Sequence, residues 1–363
     1  MVYVKLGDYK DLVESKSNYD KYYIAIDIGG TNTRVVFATY NGDYYVLKEF
    51  PCSNVTCLIN NLKDIEENEL KQFNTPVACS IDLAGPRLSQ YEIKLTNYHV
   101  DDCHLNLMQL PKKICPPQTL YILNDLESGA YGIIPYIQRK MTREIFTDFI
   151  HPSETKGPSS SGIYIVLAAG TGLGVGIIYY SAGEFRVIAS EFGHISLVPL
   201  TPEEEVIFEK IKKYLPSIET TRSNFNLEYE DLVSGRGIKY IFDNIKTCTR
   251  DLTSAEIAKE ANECTGDRTN DCVRALTLHY KCLFRAAKET SVGLFSSGAF
   301  MIGDNIVRNK VFVNSVHQDL EDEFKNHPKL EWLSKIPVYV QKDIMNLNLI
   351  GCIYYATTRM LND

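Results

Sequence analysis

The stretch that most constrains this chain is residues 22–40, where two apolar runs flank a short segment of glycine and polar residues. The runs at 22–28 and 35–40 are rich in β-branched and aromatic side chains, so the pattern predicts a strand, a tight turn and a second strand. Gly29 and Gly30 can adopt backbone angles closed to other residues, which lets amide groups converge on an anion. Taken alone, the turn is equally compatible with an ordinary Gly-Gly hairpin.

Polar side chains at fixed offsets from these glycines favour a phosphate site, because a plain hairpin requires none of them. Thr31 and Asn32 add hydrogen-bond donors, and Arg34 adds a positive charge. Asp27, at the end of the first strand, can hold a metal ion on the same anion. We therefore predict a phosphate-binding turn, with Asp27 as a metal ligand, formed by Asp27, Gly29, Gly30, Thr31, Asn32 and Arg34.

Length and composition limit the number of domains and the kinds of partner that this chain can have. At 363 residues the chain is long enough for about two domains. Its 38 basic and 46 acidic residues give a net charge of −8, which argues against a nucleic-acid partner because binders of the phosphate backbone carry a basic excess. No apolar run reaches the roughly 18 residues that span a bilayer, so no membrane partner is expected.

The cysteines and the chain ends bear on location. The ten cysteines are scattered without a zinc-type spacing, which favours free thiols in a reducing compartment. The N-terminus lacks a transit-peptide composition, and the C-terminus carries no peroxisomal-type signal. A cytoplasmic location is therefore expected.

A second informative place lies at Asn124 and Asp125. After a third strand, a helix and a buried strand at 77–83, another apolar strand at 120–123 ends at these residues, and a helix can begin there. This would place Asp125 at the carboxyl edge of a sheet, where ligands bind in open α/β folds. The alternative is helix capping, for which Asn and Asp are both preferred.

A second glycine turn follows in the other half of the chain. Residues 163–167 predict a strand, and Gly170, Thr171 and Gly172 form a turn that leads into a further strand at 177–180. Two such turns from different halves can grip a polyphosphate from opposite sides, and they suggest two similar halves. The polar segment 136–162 before this turn predicts a solvated excursion without regular structure.

Glu191 and His194 bracket a short segment after the next strand. A carboxylate and an imidazole at this spacing suit recognition of neighbouring hydroxyls, whereas the alternative is a surface glutamate and a core histidine. The rest of the chain predicts mainly helices, with a break at 234–237. A strand near 292–295 is expected to lead into a turn at 296–299.

Together these stretches resemble glucokinases of the bacterial type, members of the hexokinase–actin-like sugar kinase superfamily. The resemblance extends from residue 22 to about 356, and its closing region, at 303–305 and 347–352, is most similar to glucokinases of parasitic protists. The motifs that carry it are 27–34, 84–86, 96–97, 123–125, 170–174, 191–194, 230 with 234–235, and 336–339.

The resemblance implies an α/β protein with the two-domain actin-like/hexokinase (ribonuclease H-like) fold and a cleft between the domains. The expected small domain comprises residues 1–123 and 346–363, and the expected large domain comprises residues 124–345. The resemblance assigns phosphate binding to both glycine turns, places Gly298 near the adenosine and makes Asp125 the catalytic base. The residues it assigns to the glucose hydroxyls are Asn97, Asn124, Asp125, Glu191, His194 and Glu230.

The activity implied is transfer of the γ-phosphoryl group of ATP to the 6-hydroxyl of glucose, the first step of glycolysis, with Mg2+ as cofactor. Glucose and ATP are the expected partners, and a homodimer is the expected assembly. Two alternatives stay open: a kinase for another hexose, and a non-catalytic sugar sensor on the same scaffold.

Overall fold

The computed structural model describes residues 3–15, 19–29, 32–152, 158, 162–215 and 226–359. The chain divides into two compact units: unit 1 is Met1–Arg139 with Met345–Asp363, and unit 2 is Lys140–Ile344. This division differs from the expected boundary at 123/124. The reason is that α3 (Asp125–Gln138) packs on the final helix, α14 (Leu347–Arg359), which also belongs to unit 1.

In the residues that the structure describes, unit 1 combines a six-stranded sheet with a small two-stranded sheet and four α-helices. Besides α3 and α14, its strands and α-helices in chain order are β1 (Lys5–Asp8), α1 (Tyr9–Glu14), β2 (Tyr23–Ile28), β3 (Asn32–Ala38), β4 (Tyr44–Pro51), α2 (Val55–Glu67), β5 (Ala78–Leu83), β6 (Glu92–Lys94), β7 (His104–Asn106) and β8 (Leu120–Asn124). The small sheet is formed by β6 and β7.

The large sheet of unit 1 has the strand order β1-β4-β3-β2-β5-β8. The predicted meander is confirmed, because β2, β3 and β4 pair antiparallel. β5 and β8 then extend the sheet in parallel with β2. Side chains alternate between the two faces of a strand, so one face of β2 packs into the core that contains α2, while the other face lies against α14.

Two glycines allow α3 and α14 to touch through their backbones. A Cβ atom at Gly132 would overlap the carbonyl oxygen of Leu347, and one at Gly351 would overlap the carbonyl oxygen of Ser128. Only glycine permits so close an approach. This crossing fixes α3, and thereby its first residue, Asp125, against the sheet of unit 1.

Unit 2 contains a second six-stranded sheet, which is covered mainly by helices. Its elements in chain order are α4 (Thr142–Ile145), β9 (Phe146–Ile150), β10 (Ile163–Ala169), β11 (Leu173–Ser181), β12 (Glu184–Ser190), α5 (Pro202–Tyr214), α6 (Tyr229–Leu232), α7 (Gly235–Ile245), α8 (Ser254–Glu263), α9 (Asp271–Leu294), β13 (Gly298–Ile302), α10 (Asp304–Arg308), α11 (Lys310–Ser315), α12 (His317–Lys325), α13 (Leu330–Leu333) and β14 (Val338–Gln341).

The sheet of unit 2 repeats the pattern of the first sheet. Its order is β12-β11-β10-β13-β14-β9, in which β12, β11 and β10 pair antiparallel and β13 and β14 continue in parallel with β10. The expectation of two similar halves is therefore confirmed at the level of strand order. The long helix α9 packs against β10 and β13 and also contacts α7, α8 and α12.

Two local expectations are wrong. The segment 136–162 contains the end of α3, the short helix α4 and the strand β9, which pairs antiparallel with β14 at the sheet edge. Residues 292–294, expected in a strand, belong instead to α9, which ends when Phe295 adopts a left-handed conformation with φ 52°. Among the described helices, none combines the length and the apolar character that crossing a bilayer requires.

We predict that Gly351→Ala destabilises unit 1, because the added methyl group meets backbone that cannot move aside alone. The expected loss is about 1–3 kcal/mol or more of the free energy of unfolding, as for other overpacked interiors. The control is Gly293→Ala in α9, where an added Cβ meets no atom of the described chain within 4 Å. That variant should gain about 0.5–1 kcal/mol from helix propensity. Urea unfolding of both variants measures the difference, and equal stabilities would contradict the backbone contact.

Candidate active site

Strand register brings three acidic residues to one region of unit 1. Asp27 on β2 lies opposite Asp82 on β5, and Asp82 lies opposite Leu123 on β8. Since these strands are parallel, their carboxyl ends lie at the same edge of the sheet. Asp125 follows β8 directly at this edge, as the sequence predicts.

Asn124 and Asp125 have different local roles. The side chain of Asn124 caps α3, because its Oδ1 accepts a hydrogen bond from the Glu127 amide at 2.6 Å. Asp125 is the first residue of the helix and is exposed, and its Oδ1 accepts from the Leu126 amide at 2.9 Å. The capping alternative therefore applies to Asn124, and the helix has its cap without Asp125.

Asp82 is a carboxyl group that sequence reasoning missed. It is buried within β5, and its Oδ1 has no hydrogen-bond partner in the described part of the chain. Burial, followed by the nearby carboxylate of Asp27, raises the pKa of Asp82 well above its usual range. The available signal was an acidic residue inside the otherwise apolar run at 77–83.

The first glycine turn presents charged groups that already have protein partners. Arg34 Nη2 donates to Glu49 Oε1 at 2.8 Å, while Arg34 Nη1 lies 4.0 Å from Asp27 Oδ2. The hydrogen bond from Arg34 lowers the pKa of Glu49. Asn32 Nδ2 also approaches Glu49, at 3.5 Å. Glu49 was not predicted, although it lies directly opposite Arg34 on β4.

The backbone of this turn is described at its two ends. The amide of Gly29 donates to the carbonyl of Asn32 at 3.1 Å. Gly30 and Thr31, the other two predicted phosphate ligands, lie outside the described residues. The structure thus brings Asp27, Gly29, Asn32 and Arg34 together.

Two asparagines, Asn346 and Asn97, also lie near the carboxyl edge of the unit 1 sheet. Asn346 Nδ2 donates to Asp27 Oδ2, and its own Oδ1 accepts from the Leu349 amide at 2.9 Å at the start of α14. The exposed Asn97 lies in a turn whose neighbour, Thr96, donates its amide to the Ala84 carbonyl at 3.1 Å. Because Ala84 directly follows β5, Asn97 lies close to the same carboxyl edge.

The second glycine turn, in unit 2, is open to solvent and held by backbone hydrogen bonds. The Gly170 amide donates to the Gly172 carbonyl, and the Gly235 amide donates to the Gly170 carbonyl, each at 2.8 Å. Gly170 and Thr171 are exposed. The amino end of α7 therefore lies beside the turn, and helix amino ends favour bound anions.

Glu230 ties this turn to its surroundings. Its Oε2 accepts from the Leu173 amide at 3.0 Å, and its Oε1 accepts from Arg236 Nη2 at 2.9 Å. A Cβ atom at Gly172 would overlap Glu230 Oε2, so an alanine here would displace this carboxylate. The residue assigned to sugar binding thus also supports the residues assigned to phosphate binding.

His194 lies among three carboxylates, which brings the predicted sugar-binding residues of unit 2 together. Its Nε2 lies 3.7 Å from Glu191 Oε2 and 4.0 Å from Glu230 Oε2, and its Nδ1 lies 2.8 Å from Glu228 Oε2. The pKa of His194 is raised, first by the hydrogen bond to Glu228 and then by the other carboxylates, against an opposing effect of burial. Sequence reasoning missed Glu228.

Gly298 is not brought together with the second glycine turn. It begins β13 and pairs with Tyr164, near the amino end of β10, whereas Gly170 follows the carboxyl end of β10. The resemblance places Gly298 near the adenosine, and that role stays a prediction. Gly303, with φ 105°, follows the carboxyl end of β13, and its amide donates to Gln341 Oε1 at 2.9 Å.

Known proteins match this chain over most of its length. A family model described as glucokinase matches residues 24–358. The chain belongs to the glucokinase family. Probable glucokinase 2 of Trichomonas vaginalis is 31% identical over 92% of each chain, and glucokinase 1 of the same organism is 29% identical over 92% of each chain. The crystal structure of glucokinase from Balamuthia mandrillaris in complex with glucose has a TM-score of 0.80 and 30% identity, covering 93% of each chain.

These matches confirm the resemblance stated from the motifs and the two-domain hexokinase-like fold. The roles of individual residues in this glucokinase-family chain stay predictions. The structure shows which of these residues lie together. In unit 1, acidic residues and residues assigned to phosphate binding lie at one sheet edge. In unit 2, a glycine turn lies beside a cluster of a histidine and carboxylates.

We predict that Arg34→Ala raises the Michaelis constant for ATP by about ten-fold with little change for glucose. A charge-assisted bond to phosphate contributes about 1.5–3 kcal/mol, and the existing pairing with Glu49 favours the lower end. Initial rates with each substrate varied in turn measure both constants. The control is Arg186→Ala, an exposed arginine beside Glu184. A large rise for glucose with none for ATP would contradict the assignment.

We predict that Gly172→Ala impairs the use of both substrates, because the added methyl group displaces the Glu230 carboxylate from the Leu173 amide. The expected fall in kcat/KM is about ten-fold or more, since a displacement of about 1 Å can cost ~10²-fold in rate. Gly266→Ala is the control, because a Cβ there meets no described atom within 4 Å. Normal kinetics for Gly172→Ala would refute the coupling.

Proposed function

We propose that this chain catalyses the ATP-dependent phosphorylation of glucose at its 6-hydroxyl, giving glucose 6-phosphate and ADP as the first step of glycolysis. Membership of the glucokinase family carries this proposal. The two glycine turns support it, because phosphoryl transfer is catalysed mainly by positioning and by neutralising charge. Each turn follows the carboxyl end of β2 or β10. These are the strands that pair antiparallel with one neighbour and parallel with the other.

Asp125 is the catalytic base in this proposal. It is exposed at the carboxyl edge of the unit 1 sheet and begins a helix whose cap is supplied by Asn124. A base must lie within about 2.6–3.2 Å of the hydroxyl that it deprotonates. Asn97 and Asn124 are the proposed neighbours of the sugar in unit 1.

Glucose recognition in unit 2 is proposed for Glu191, His194 and Glu230. Carboxylates accept hydrogen bonds from hydroxyls, and an imidazole nitrogen either donates or accepts. The three side chains face one another, because His194 Nε2 lies 3.7 Å from Glu191 and 4.0 Å from Glu230. Sites built to bond hydroxyls in this way discriminate strongly against analogues that lack them.

ATP phosphates are proposed to bind the two turns, at Gly29, Gly30, Thr31, Asn32 and Arg34 and at Gly170, Thr171 and Gly172. The residues of unit 1 also fit a magnesium ion. Asp27 carries a carboxylate at the sheet edge, and beside it Asp82 Oδ1 is buried without a hydrogen-bond partner in the described residues. Mg2+ prefers one or two carboxylates together with phosphate oxygens and water. When bound through Asp27, it would neutralise charge on the phosphates.

The cellular setting is also a proposal. The scattered free cysteines support a cytoplasmic enzyme. A homodimer is the proposed assembly, and sedimentation of the purified protein measures it.

A coupled assay for glucose 6-phosphate tests the proposed function. Glucose with ATP and Mg2+ should give turnover, and omission of Mg2+ should abolish it. Glucose should also have a higher kcat/KM than mannose or an N-acetylated hexose, which separates a glucokinase from a kinase for another hexose. Absence of turnover with every sugar would favour the non-catalytic sensor.

We predict that Asp125→Asn lowers turnover by roughly 10²–10⁴, the range typical of general acid–base catalysis. Asn can still hydrogen-bond the sugar hydroxyl but cannot take its proton, so glucose binding should change little. Since Asn124 supplies the cap, the melting temperature should stay near that of the wild type. A stable variant with near-normal turnover would leave the proposed reaction without this base.

A further inference from the structure

We propose that Glu228 is a positioning residue for sugar recognition: its carboxylate holds the Nδ1 side of His194, so that Nε2 is presented to a sugar hydroxyl. The inference rests on the proposed function and extends it to a residue outside the predicted sugar-binding set. Glu228 does not belong to the group of side chains that face Nε2, because it contacts the opposite nitrogen of the ring.

Backbone pairing fixes the two residues beside each other. The Leu197 amide donates to the Leu227 carbonyl at 2.7 Å, and the Tyr229 amide donates to the Ile195 carbonyl at 3.2 Å. Between them, Ser196 forms an antiparallel bridge with Glu228. This short two-stranded pairing starts directly after His194, so the distance between imidazole and carboxylate is set by main-chain hydrogen bonds.

The hydrogen bond to Glu228 determines which ring nitrogen of His194 carries the proton and which is left for a ligand. A carboxylate accepts only, so the 2.8 Å contact with Glu228 Oε2 places the proton of a neutral imidazole on Nδ1. Nε2 then carries the lone pair and faces Glu191 and Glu230. When the ring is charged, Nε2 becomes a donor while the bond to Glu228 is kept. Histidines held in this way by a second residue have a fixed ring orientation and tautomer.

The charges around the ring determine the sign of its pH response. Glu228, Glu191 and Glu230 face His194, and Arg236 binds the far oxygen of Glu230. The carboxylates raise the pKa of His194, with the hydrogen bond to Glu228 as the largest cause. Removing the charge of Glu228 must therefore lower this pKa and move the titration of His194 to lower pH.

Glu228 also has a structural role, which the choice of variants separates from positioning. It is the N-cap residue directly before α6, and its amide donates to Oδ2 of the buried Asp231 at 2.8 Å. Glu228→Asp keeps the charge and a side chain that caps helices well, but it withdraws the carboxylate from His194 by one methylene. Glu228→Gln keeps the length and removes the charge. A capping role alone predicts that Glu228→Asp behaves as the wild type.

The experiment measures initial rates and melting temperatures of wild type, Glu228→Asp and Glu228→Gln across pH. Both variants should raise the Michaelis constant for glucose by about ten-fold, as for loss of a charge-assisted hydrogen bond. The constant for ATP and kcat should change little, because a residue that acts only on sugar binding alters the Michaelis constant for the sugar alone. In Glu228→Gln, the pH midpoint of the glucose constant should also move to lower values. Glu184→Gln, at the partly exposed first residue of β12, is the matched control and should leave all constants unchanged.

Nitrogen NMR of labelled histidine gives a second readout that does not depend on activity. The neutral His194 ring, assigned by the signal lost in His194→Asn, should be protonated on Nδ1 in the wild type, and this preference should weaken in Glu228→Asp. A wild-type ring protonated on Nε2, or a normal glucose constant in Glu228→Asp, would overturn the inference. A wild type that turns over no glucose would instead refute the proposed function, while the tautomer would still decide whether Glu228 holds His194.

Discussion

Parallel strand pairing is the constraint on which both candidate sites depend. In each sheet, three antiparallel strands are followed by two that run parallel to the third, so that β2, β5 and β8 end at one edge and β10, β13 and β14 end at another. Parallel neighbours bring their carboxyl ends together, and the loops that follow collect there whatever their separation along the chain. The glycine turns occupy the equivalent place in each sheet, after β2 and after β10.

The charged groups at these edges are held by protein partners. Arg34 binds Glu49, and Glu230 binds both Arg236 and the Leu173 amide. Side chains held in this way lose little conformational freedom when a ligand binds, and fixed dipoles need little reorganisation during the reaction. The pairing would carry a cost for the predicted role of Arg34, because a phosphate would have to compete with Glu49 for the guanidinium group. Arg34 and Glu49 are distant in sequence, and so are Glu230 and Leu173. Their contacts therefore depend on strand register and on the packing of α7 against the turn.

The sequence was most informative where local chemistry decides the structure. The meander, both glycine turns and the junction of β8 with α3 have strand periodicity, glycines or capping residues within a few positions, and these expectations are confirmed. The sequence was least informative where contacts between distant segments decide the local structure. β9 is a five-residue strand whose pairing comes from β14, and α9 continues through residues expected in a strand because it packs on the sheet. Gly298 accordingly lies at the start of β13, four residues after the end of α9.

The contact between Gly172 and Glu230 joins a residue assigned to sugar recognition to the turn assigned to phosphate binding in unit 2. Glu230 Oε2 accepts from the amide that closes the turn, and it also faces His194 Nε2. A sugar hydroxyl that donates to this carboxylate would share an acceptor with the Leu173 amide, so its binding must alter the free energy of the turn. Such linkage is reciprocal: a phosphate that orders the turn changes the affinity for the sugar by the same factor. An alanine at 172 would therefore disturb a carboxylate that is assigned to the other substrate.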